Sequence, residues 1–363
     1  MRTLGLYFAQ HFLRNVFWTF LLFFALVVAV GLIDQTRATA GADDVAFLDL
    51  LTVSALNAPW IVENIIPFCV LFGSIATLLL LNRRLELVVA RAAGVSVWQF
   101  LFPASIVALL VGLFAALVFN PLAIRAQNEA LAIEDRVFGK IEKAEVRRNF
   151  WIAAGTEGTQ QIYNASVARN EGRRLVRVVI NTFRPDGSPG RRIDASRLDF
   201  EPRPEGNVWV ATNARVYERG ERGRVQKRIE IPTDLTADQL REVTVDERRI
   251  AFWDLDDEAD AARNAARSTL PYETRFHALL SRPLLYLAMV LLAGTVSLRF
   301  ARFGIDGWGL AIGVTLGFVL YAVAELALTF GRNGLVAPAV AAWGPVVVAV
   351  LLGTSVLLQK EDG

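Results

Sequence analysis

Residues 97–119 read Val-Trp-Gln-Phe-Leu-Phe-Pro-Ala-Ser-Ile-Val-Ala-Leu-Leu-Val-Gly-Leu-Phe-Ala-Ala-Leu-Val-Phe, 23 positions without a charged side chain. A bilayer core of about 30 Å needs about 20 helical residues at 1.5 Å each, and within it every backbone polar group must be bonded inside its own helix. The stretch therefore reads as a membrane span. Working outward, comparable apolar stretches occupy 16–33 and 59–81 before it and 277–298, 307–330 and 335–358 after it. Between the third and fourth stretches lie about 155 polar residues. The expected fold is an integral membrane α+β protein. Spans 1–3 fall in 1–120, an inserted extramembrane region in 121–276 and spans 4–6 in 277–363.

Composition agrees with this plan: 54% hydrophobic and 20% charged residues give a mean hydropathy of +0.39 over 363 residues, unlike an ordinary soluble enzyme. With 38 basic and 36 acidic residues there is no basic excess of the kind that binds nucleic acid. A single cysteine, Cys69, excludes an intrachain disulfide, and two histidines far apart, His11 and His277, argue against a zinc site.

Orientation follows from Lys and Arg in the short flanks, because the side that keeps more of them is cytoplasmic. With the N-terminus inside, the cytoplasmic flanks hold Arg2, Arg14, Arg83, Arg84, Arg91, Arg299, Arg302 and Lys360, against Arg37 and Arg332 outside. Both termini are expected in the cytoplasm and the large insertion on the opposite side. Ala38-Thr39-Ala40 has the look of a signal-peptidase site, but the apolar run before it exceeds the usual signal core of about 7–15 residues. It is read as a retained span.

Within 138–255 the pattern changes to short alternating segments between turn formers, which reads as β. Along 207–217, Val208, Val210, Thr212, Ala214 and Val216 are expected on one face and Trp209, Ala211, Asn213, Arg215 and Tyr217 on the other. Val176, Val178 and Ile180 mark a second strand, while Leu198 with Phe200 and Ile229 with Ile231 mark weaker ones. Turns fall at 185–190 and 204–207. Strands at this spacing argue for a sandwich or a jelly roll. The flanks 121–137 and 256–276 are expected to carry helix out of the third span and back into the fourth.

Catalytic signatures are missing. Glu134 stands where the first glycine of a phosphate-binding loop ending in Gly139-Lys140 should be, and no G-x-S-x-G, H-E-x-x-H or paired-carboxylate motif stands out. The run Asp254, Asp256, Asp257, Glu258 reads as a solvated linker before it reads as a metal site. Any energy for work comes from elsewhere.

Three sites carry more information than hydrophobicity. In the short connection 82–96, Leu85, Val88 and Val89 share an apolar face at helical spacing, Arg83 and Arg84 precede it, Glu86 and Arg91 are free to meet another protein, and Gly94 stops the helix. It is either an interfacial helix with basic anchors or a coupling helix docking on a cytoplasmic motor. In the fifth span, Gly309, Gly313 and Gly317 form a small-residue stripe suited to close helix approach, within the bundle or between subunits. Glu63, Arg282 and Glu325 form an ionisable layer four to six residues from the outer helix ends, roughly 6–9 Å deep. Such charges must be paired, wet or snorkelling.

The helix plan, the run Glu86-Leu87-Val88-Val89-Ala90-Arg91-Ala92-Ala93-Gly94-Val95-Ser96 and the ending Ala337-Pro338-Ala339-Val340-Ala341-Ala342-Trp343-Gly344-Pro345 together resemble the permease subunits of the lipopolysaccharide export ABC transporter, LptF and LptG, over nearly the whole chain. The two motifs look more like LptG. The resemblance implies a Gram-negative inner-membrane subunit beside an LptF-like permease, with an LptB-like ATPase dimer beneath and an LptC-like protein alongside. It implies lipopolysaccharide as cargo, a periplasmic β-jelly roll that passes it to a bridge, and ATP and Mg bound by the partner ATPase, with no cofactor on this chain. By carry-over Glu86 meets a basic residue of the ATPase, the Gly309, Gly313, Gly317 stripe gains an intersubunit role, and Arg37, Glu63, Arg282 and Glu325 become candidates for a lipid cavity. Arg37, beside Asp34, is the only basic residue near the outer end of the first span, where the family has several. A secondary transporter is disfavoured because the third and sixth spans carry no charge. A membrane sensor with a β ligand reader needs no coupling helix, and a four-helix ABC permease carries its large domain after the first span.

Overall fold

A computed structural model describes residues 2–38, 46–138, 150–156, 159–169, 173–184, 188–203, 206–217, 223–235, 247–264, 268–303 and 307–362. The turn residues 185–187 and 204–205, and Thr39 and Ala40, lie outside them. The chain divides into two units, one of Met1–Ile141 with Ile250–Gly363 and one of Glu142–Arg249.

The helical unit begins with α1 (Arg2–Ala38), α2 (Phe47–Glu63), α3 (Ile66–Arg83), the short α4 (Glu86–Ala92) and α5 (Val97–Phe114). A π-helical turn, Ala115–Phe119, passes α5 into α6 (Asn120–Phe138). After the insertion come α7 (Leu255–Asn264), α8 (Leu270–Phe303), α9 (Gly307–Arg332) and α10 (Pro338–Asp362). Among the described residues six helices are long and apolar enough to cross a membrane: Gly5–Arg37, Ile66–Arg83, Val97–Glu134, Leu270–Ser297, Ala311–Arg332 and Pro338–Gln359. Three precede Glu142–Arg249 in the chain and three follow it.

The second apolar stretch, 59–81, is not one helix. It breaks at Asn64–Ile65, because Pro67 lacks the N–H that would bond the Glu63 carbonyl and instead starts α3. Helices α3 and α8 form the centre, with 67% and 61% of their apolar windows buried, whereas α1 has 6% and α9 22%. The core joins Phe8 and Phe12 of α1 to Leu71 and Leu81 of α3, Leu101 of α5 and Tyr286 of α8. Close approach is built in at Gly112, where a Cβ would run into the Pro283 backbone of α8. The exposed side of α1 carries Phe17, Trp18, Leu22 and Leu26, apolar surface that water would penalise and lipid accepts.

The second unit is one antiparallel sheet of six strands in sequence order: β1 (Phe150–Thr156), β2 (Thr159–Arg169), β3 (Arg174–Phe183), β4 (Pro189–Glu201), β5 (Val208–Tyr217) and β6 (Arg224–Pro232). Among the described residues this order is a meander without a Greek-key crossing. Strand spacing identifies strands but not partners, and here each strand pairs with the next. The sheet is curled. Tyr163 of β2 and Trp209 of β5 bring their rings to 6.1 Å, and the Tyr163 hydroxyl also interacts with Thr233 just after β6. A flat sheet at about 4.8 Å per strand holds β2 and β5 about 14 Å apart. The inner face buries Tyr163, Leu175, Ile180, Leu198 and Trp209. Outside, Arg203 donates to Glu230 at 2.8 and 2.9 Å and to Glu201 at 3.0 Å.

Alternation along the strands is interrupted. In β5 Trp209, Val210, Ala211 and Ala214 are buried, and the inner cluster takes Trp209 and Ala211 and then Ala214 with Val216, so the inward face changes series partway along the strand. The cause is Asn213, left-handed at φ 51°, which turns two successive side chains to one face. Arg177 in β3 has φ 51° as well, so Leu175 faces inward with Val178 and Ile180 while Val176 does not. In β4 the step falls between Ala195 and Leu198. The pairings Val178 with Ala195 and Ala195 with Ala214 align the three steps, and the Ser196 hydroxyl donates to the Thr212 carbonyl at 2.8 Å across this seam.

Asn213→Val in the full chain is expected to cost about 1–2 kcal/mol, the penalty of a Cβ-branched residue in left-handed backbone, while Asn213→Gly is tolerated. Denaturant-dependent proteolysis within 150–232 measures both. Burial pushes the Tyr163 phenol from 10 up to about 12. The unfolded chain releases that proton from pH about 10, so this contribution to stability is full below pH 10 and is lost as pH rises to about 12. Alkaline melting followed by proteolysis is expected to show that slope in the native chain and a flatter one in Tyr163→Phe.

Candidate functional site

Helix α4 is a short element set between α3 and α5. Leu85 turns left-handed at φ 60° to separate it from α3, placing Arg83 and Arg84 at the α3 terminus. Glu86 lies in its first turn and Arg91 in its last, each with the sign that the helix dipole favours. At the far end Gly94, φ 83°, closes a Schellman motif: Gly94 N–H donates to Arg91 and Val95 N–H to Ala90, both at 3.0 Å. Ser96 then caps α5, exchanging 3.3 Å hydrogen bonds with Gln99.

This short helix hangs on one side chain. Leu87 is 1% exposed within the bundle core, whereas Leu85, Val88 and Val89 stand 61%, 42% and 65% exposed. Glu86, expected to be free, is held: Tyr7 of α1 donates to its Oε1 at 3.3 Å, and Arg84 Nη1 lies 3.9 Å from the same oxygen. Arg91 has no ion-pair partner among the described residues.

The ionisable layer separates. Glu63, last residue of α2, receives Arg282 Nη1 at 2.6 Å, Arg275 Nη2 at 3.2 Å and Asn120 Nδ2 at 2.9 Å, all on Oε1. Asn120 in turn accepts the Phe252 backbone N–H at 3.0 Å through its own side-chain oxygen. Glu63 is 2% exposed and each arginine 8%. Two guanidiniums against one carboxylate leave a buried excess of positive charge. The cluster welds the break in 59–81 to the end of the π-helical turn and to α8. Nearby, the Trp253 indole donates to the Leu117 carbonyl within that turn at 3.0 Å.

Glu325 of α9 is half-buried and has no ion-pair partner among the described residues, and Arg37 and Asp34 are exposed near the end of α1. Only Glu63 and Arg282 of the expected layer meet. Arg275 and Asn120 were missed. Arg275 precedes Arg282 by seven residues, two helical turns on one face, and that spacing was legible. Arg282 is committed to Glu63, so an anionic headgroup reaching it has to displace a carboxylate.

The glycine stripe faces inward. A Cβ on Gly313 would lie 2.8 Å from Val296 Cγ2 of α8, and one on Gly317 would strike the Leu71 side chain of α3. Both glycines therefore serve contact inside this chain, and the exposed face of α9 carries Leu316, Val319 and Val323 instead. Gly309 lies in the first turn of α9. In the acidic run, Asp256, Asp257 and Glu258 form the first turn of α7, where helix N-terminal polarity stabilises them.

A family model described as lipopolysaccharide export system permease LptF/LptG matches residues 6–359. No curated protein matches the chain.

The cluster makes its own forecast. Glu63→Leu strands two buried cations and is expected to cost about 3–5 kcal/mol, while Glu63→Leu combined with Arg275→Met and Arg282→Met recovers most of the loss. Thermal unfolding of the detergent-solubilised protein measures the difference.

Proposed function

The chain belongs to the lipopolysaccharide export permease family LptF/LptG, and on that premise we propose that it is the LptG-like permease of an inner-membrane ABC exporter. It lifts lipopolysaccharide from the membrane and passes it to a periplasmic bridge. A separate LptB-like ATPase dimer supplies the energy, with an LptF-like permease and an LptC-like protein completing the assembly. The run from Glu86 to Ser96 and the ending from Ala337 to Pro345 support the LptG side of the family.

The observation that carries this reading is the exposed apolar ridge of α4. A short helix fixed at both ends, with Leu87 inserted into the bundle and Leu85, Val88 and Val89 turned outward, is a handle for another protein. Arg83, Arg84 and Arg91 rim the handle, Glu86 offers its one-third exposed carboxylate to a basic residue of the motor, and Gly94 sets the exit into α5. The positive-inside count supports a cytoplasmic α4 and cytoplasmic termini with the β unit in the periplasm.

Energetics explain why a motor is needed. Exposing each buried CH₂ to water costs about 0.8 kcal/mol, so several acyl chains cost on the order of tens of kcal/mol if fully hydrated. No single nucleotide cycle supplies that, so the chains must stay sheltered between the membrane and an acceptor surface. The apolar inner face of the curled sheet, in a jelly-roll-like role, is the sheltered surface of this chain. Arg37, Glu63, Arg282 and Glu325 remain the candidates for the cavity wall, with Arg282 released to a headgroup only when Glu63 yields.

Affinity purification of the full chain from its native membrane is expected to bring down an ATPase and a second permease, and the reconstituted assembly to release lipopolysaccharide to a periplasmic acceptor only with ATP. Glu86→Lys is expected to weaken ATPase retention or ATP-driven release about tenfold, equivalent to about 1.4 kcal/mol. Wild-type behaviour of that variant, or nucleotide hydrolysis by the isolated chain, overturns the reading.

A further inference from the structure

We infer that Tyr7 is a positioning residue that ties the first span to α4, so that a displacement of α4 reaches α1 through the Tyr7–Glu86 hydrogen bond. The inference rests on the proposed role of α4 as the site where the motor acts.

The first observation is the bond itself, from Tyr7 Oη to Glu86 Oε1 at 3.3 Å across 79 residues of sequence. The Tyr7 phenol is not a loose group. Its ring lies 4.1 Å from that of His11 one turn later and 6.0 Å from that of Phe8. His11 Nδ1 stands 2.9 Å from the Tyr7 carbonyl, a contact that assigns the proton to Nδ1. A half-buried phenol held on two sides has little rotamer freedom left to lose when it donates to a carboxylate.

The second observation is that the bundle grips α1 through its N-terminal half, where the Asn15 amide also donates to the Thr77 hydroxyl of α3 at 2.9 Å. Beyond Val16 none of its described side chains is fully buried. Its buried residues Phe8, Phe12 and Val16 lie in its first half, in the core cluster that also contains Leu87. The N-terminal half of α1 therefore shares a core with Leu87 of α4 and meets α4 directly through the phenol on Glu86. Packing resists separation but permits sliding, whereas the directional hydrogen bond fixes rotation and register.

The third observation concerns Glu86. Its side chain is one-third exposed, so a cation from outside can still reach it while Tyr7 holds one oxygen. Whatever pulls on Glu86 thus pulls on α1 in the same step, without relay through the buried centre.

The test uses the reconstituted permease–ATPase assembly with lipopolysaccharide in the donor membrane. Tyr7→Phe is expected to lower lipopolysaccharide released per ATP hydrolysed by about three- to tenfold with the ATPase still bound, the range for the net worth of one ordinary hydrogen bond. Glu86→Gln keeps an oxygen acceptor, so Tyr7→Phe placed on it removes the same link and lowers the ratio again; on Glu86→Ala, where no acceptor remains, Tyr7→Phe adds nothing. An unchanged ratio in Tyr7→Phe, or a further loss on Glu86→Ala, overturns the proposal. Spin labels at Arg14→Cys on α1 and Ala93→Cys beside α4, in a Cys69→Ala background of the isolated chain, read the tether directly. A narrow distance distribution that broadens in Tyr7→Phe supports it, and identical distributions overturn it. If the wild-type assembly shows no ATP-driven release, the export reading falls and the transmission role with it, while the label distances still decide the tether.

Discussion

In an apolar surround a single carboxylate oxygen has to satisfy the charges brought to it, and Glu63 Oε1 receives Arg275, Arg282 and Asn120 at once. Without water to compete, removing the anion strands two cations, so the groups that carry them are held together far more firmly than packing alone would hold them. Those groups lie at irregular points of the helices: the break after Glu63, the end of the π-helical turn before Asn120 and the start of α8. Irregular backbone at depth is tolerated where protein covers it. The central helices α3 and α8 are oriented from this anchor, and α1 and α9 are left to lean against them.

The helical plan was legible because hydrocarbon imposes a simple demand, long uncharged stretches, and 97–119 meets it without a charged residue. The break at Asn64–Ile65 had one sign, Pro67, which an apolar average over 59–81 conceals. The partners of Glu63 were only half legible. Arg282 stands out in an apolar span, Arg275 is marked only by its seven-residue spacing from Arg282 within a polar flank, and Asn120 is neutral. Glu86 was read as free because its partner is 79 residues away on another helix, and no local pattern encodes that distance.

In the sheet, strand existence was readable from alternation for β3 and β5, but facing was not. Period-two reasoning assumes that every residue is extended, and Asn213 and Arg177 are not. Asparagine hints at left-handed backbone and arginine gives no hint, so the step in β3 had no local signal. The meander order likewise depends on which edges meet. The apolar stripe of α9 shows the complementary limit: Gly313 and Gly317 announced close approach, and only the fold says that the approaching partners are Val296 and Leu71 of the same chain.

The aligned seam through β3, β4 and β5 acts as a key for the whole sheet. Adding or removing one residue within any of these strands would leave its step out of line with its neighbours and expose half of its inward residues. Changes in chain length are therefore confined to the hairpin ends. The interior of this domain can be remodelled one side chain at a time while its ruler stays fixed, so variation is confined to what fills the inner face, with the number of rungs that frame it unchanged.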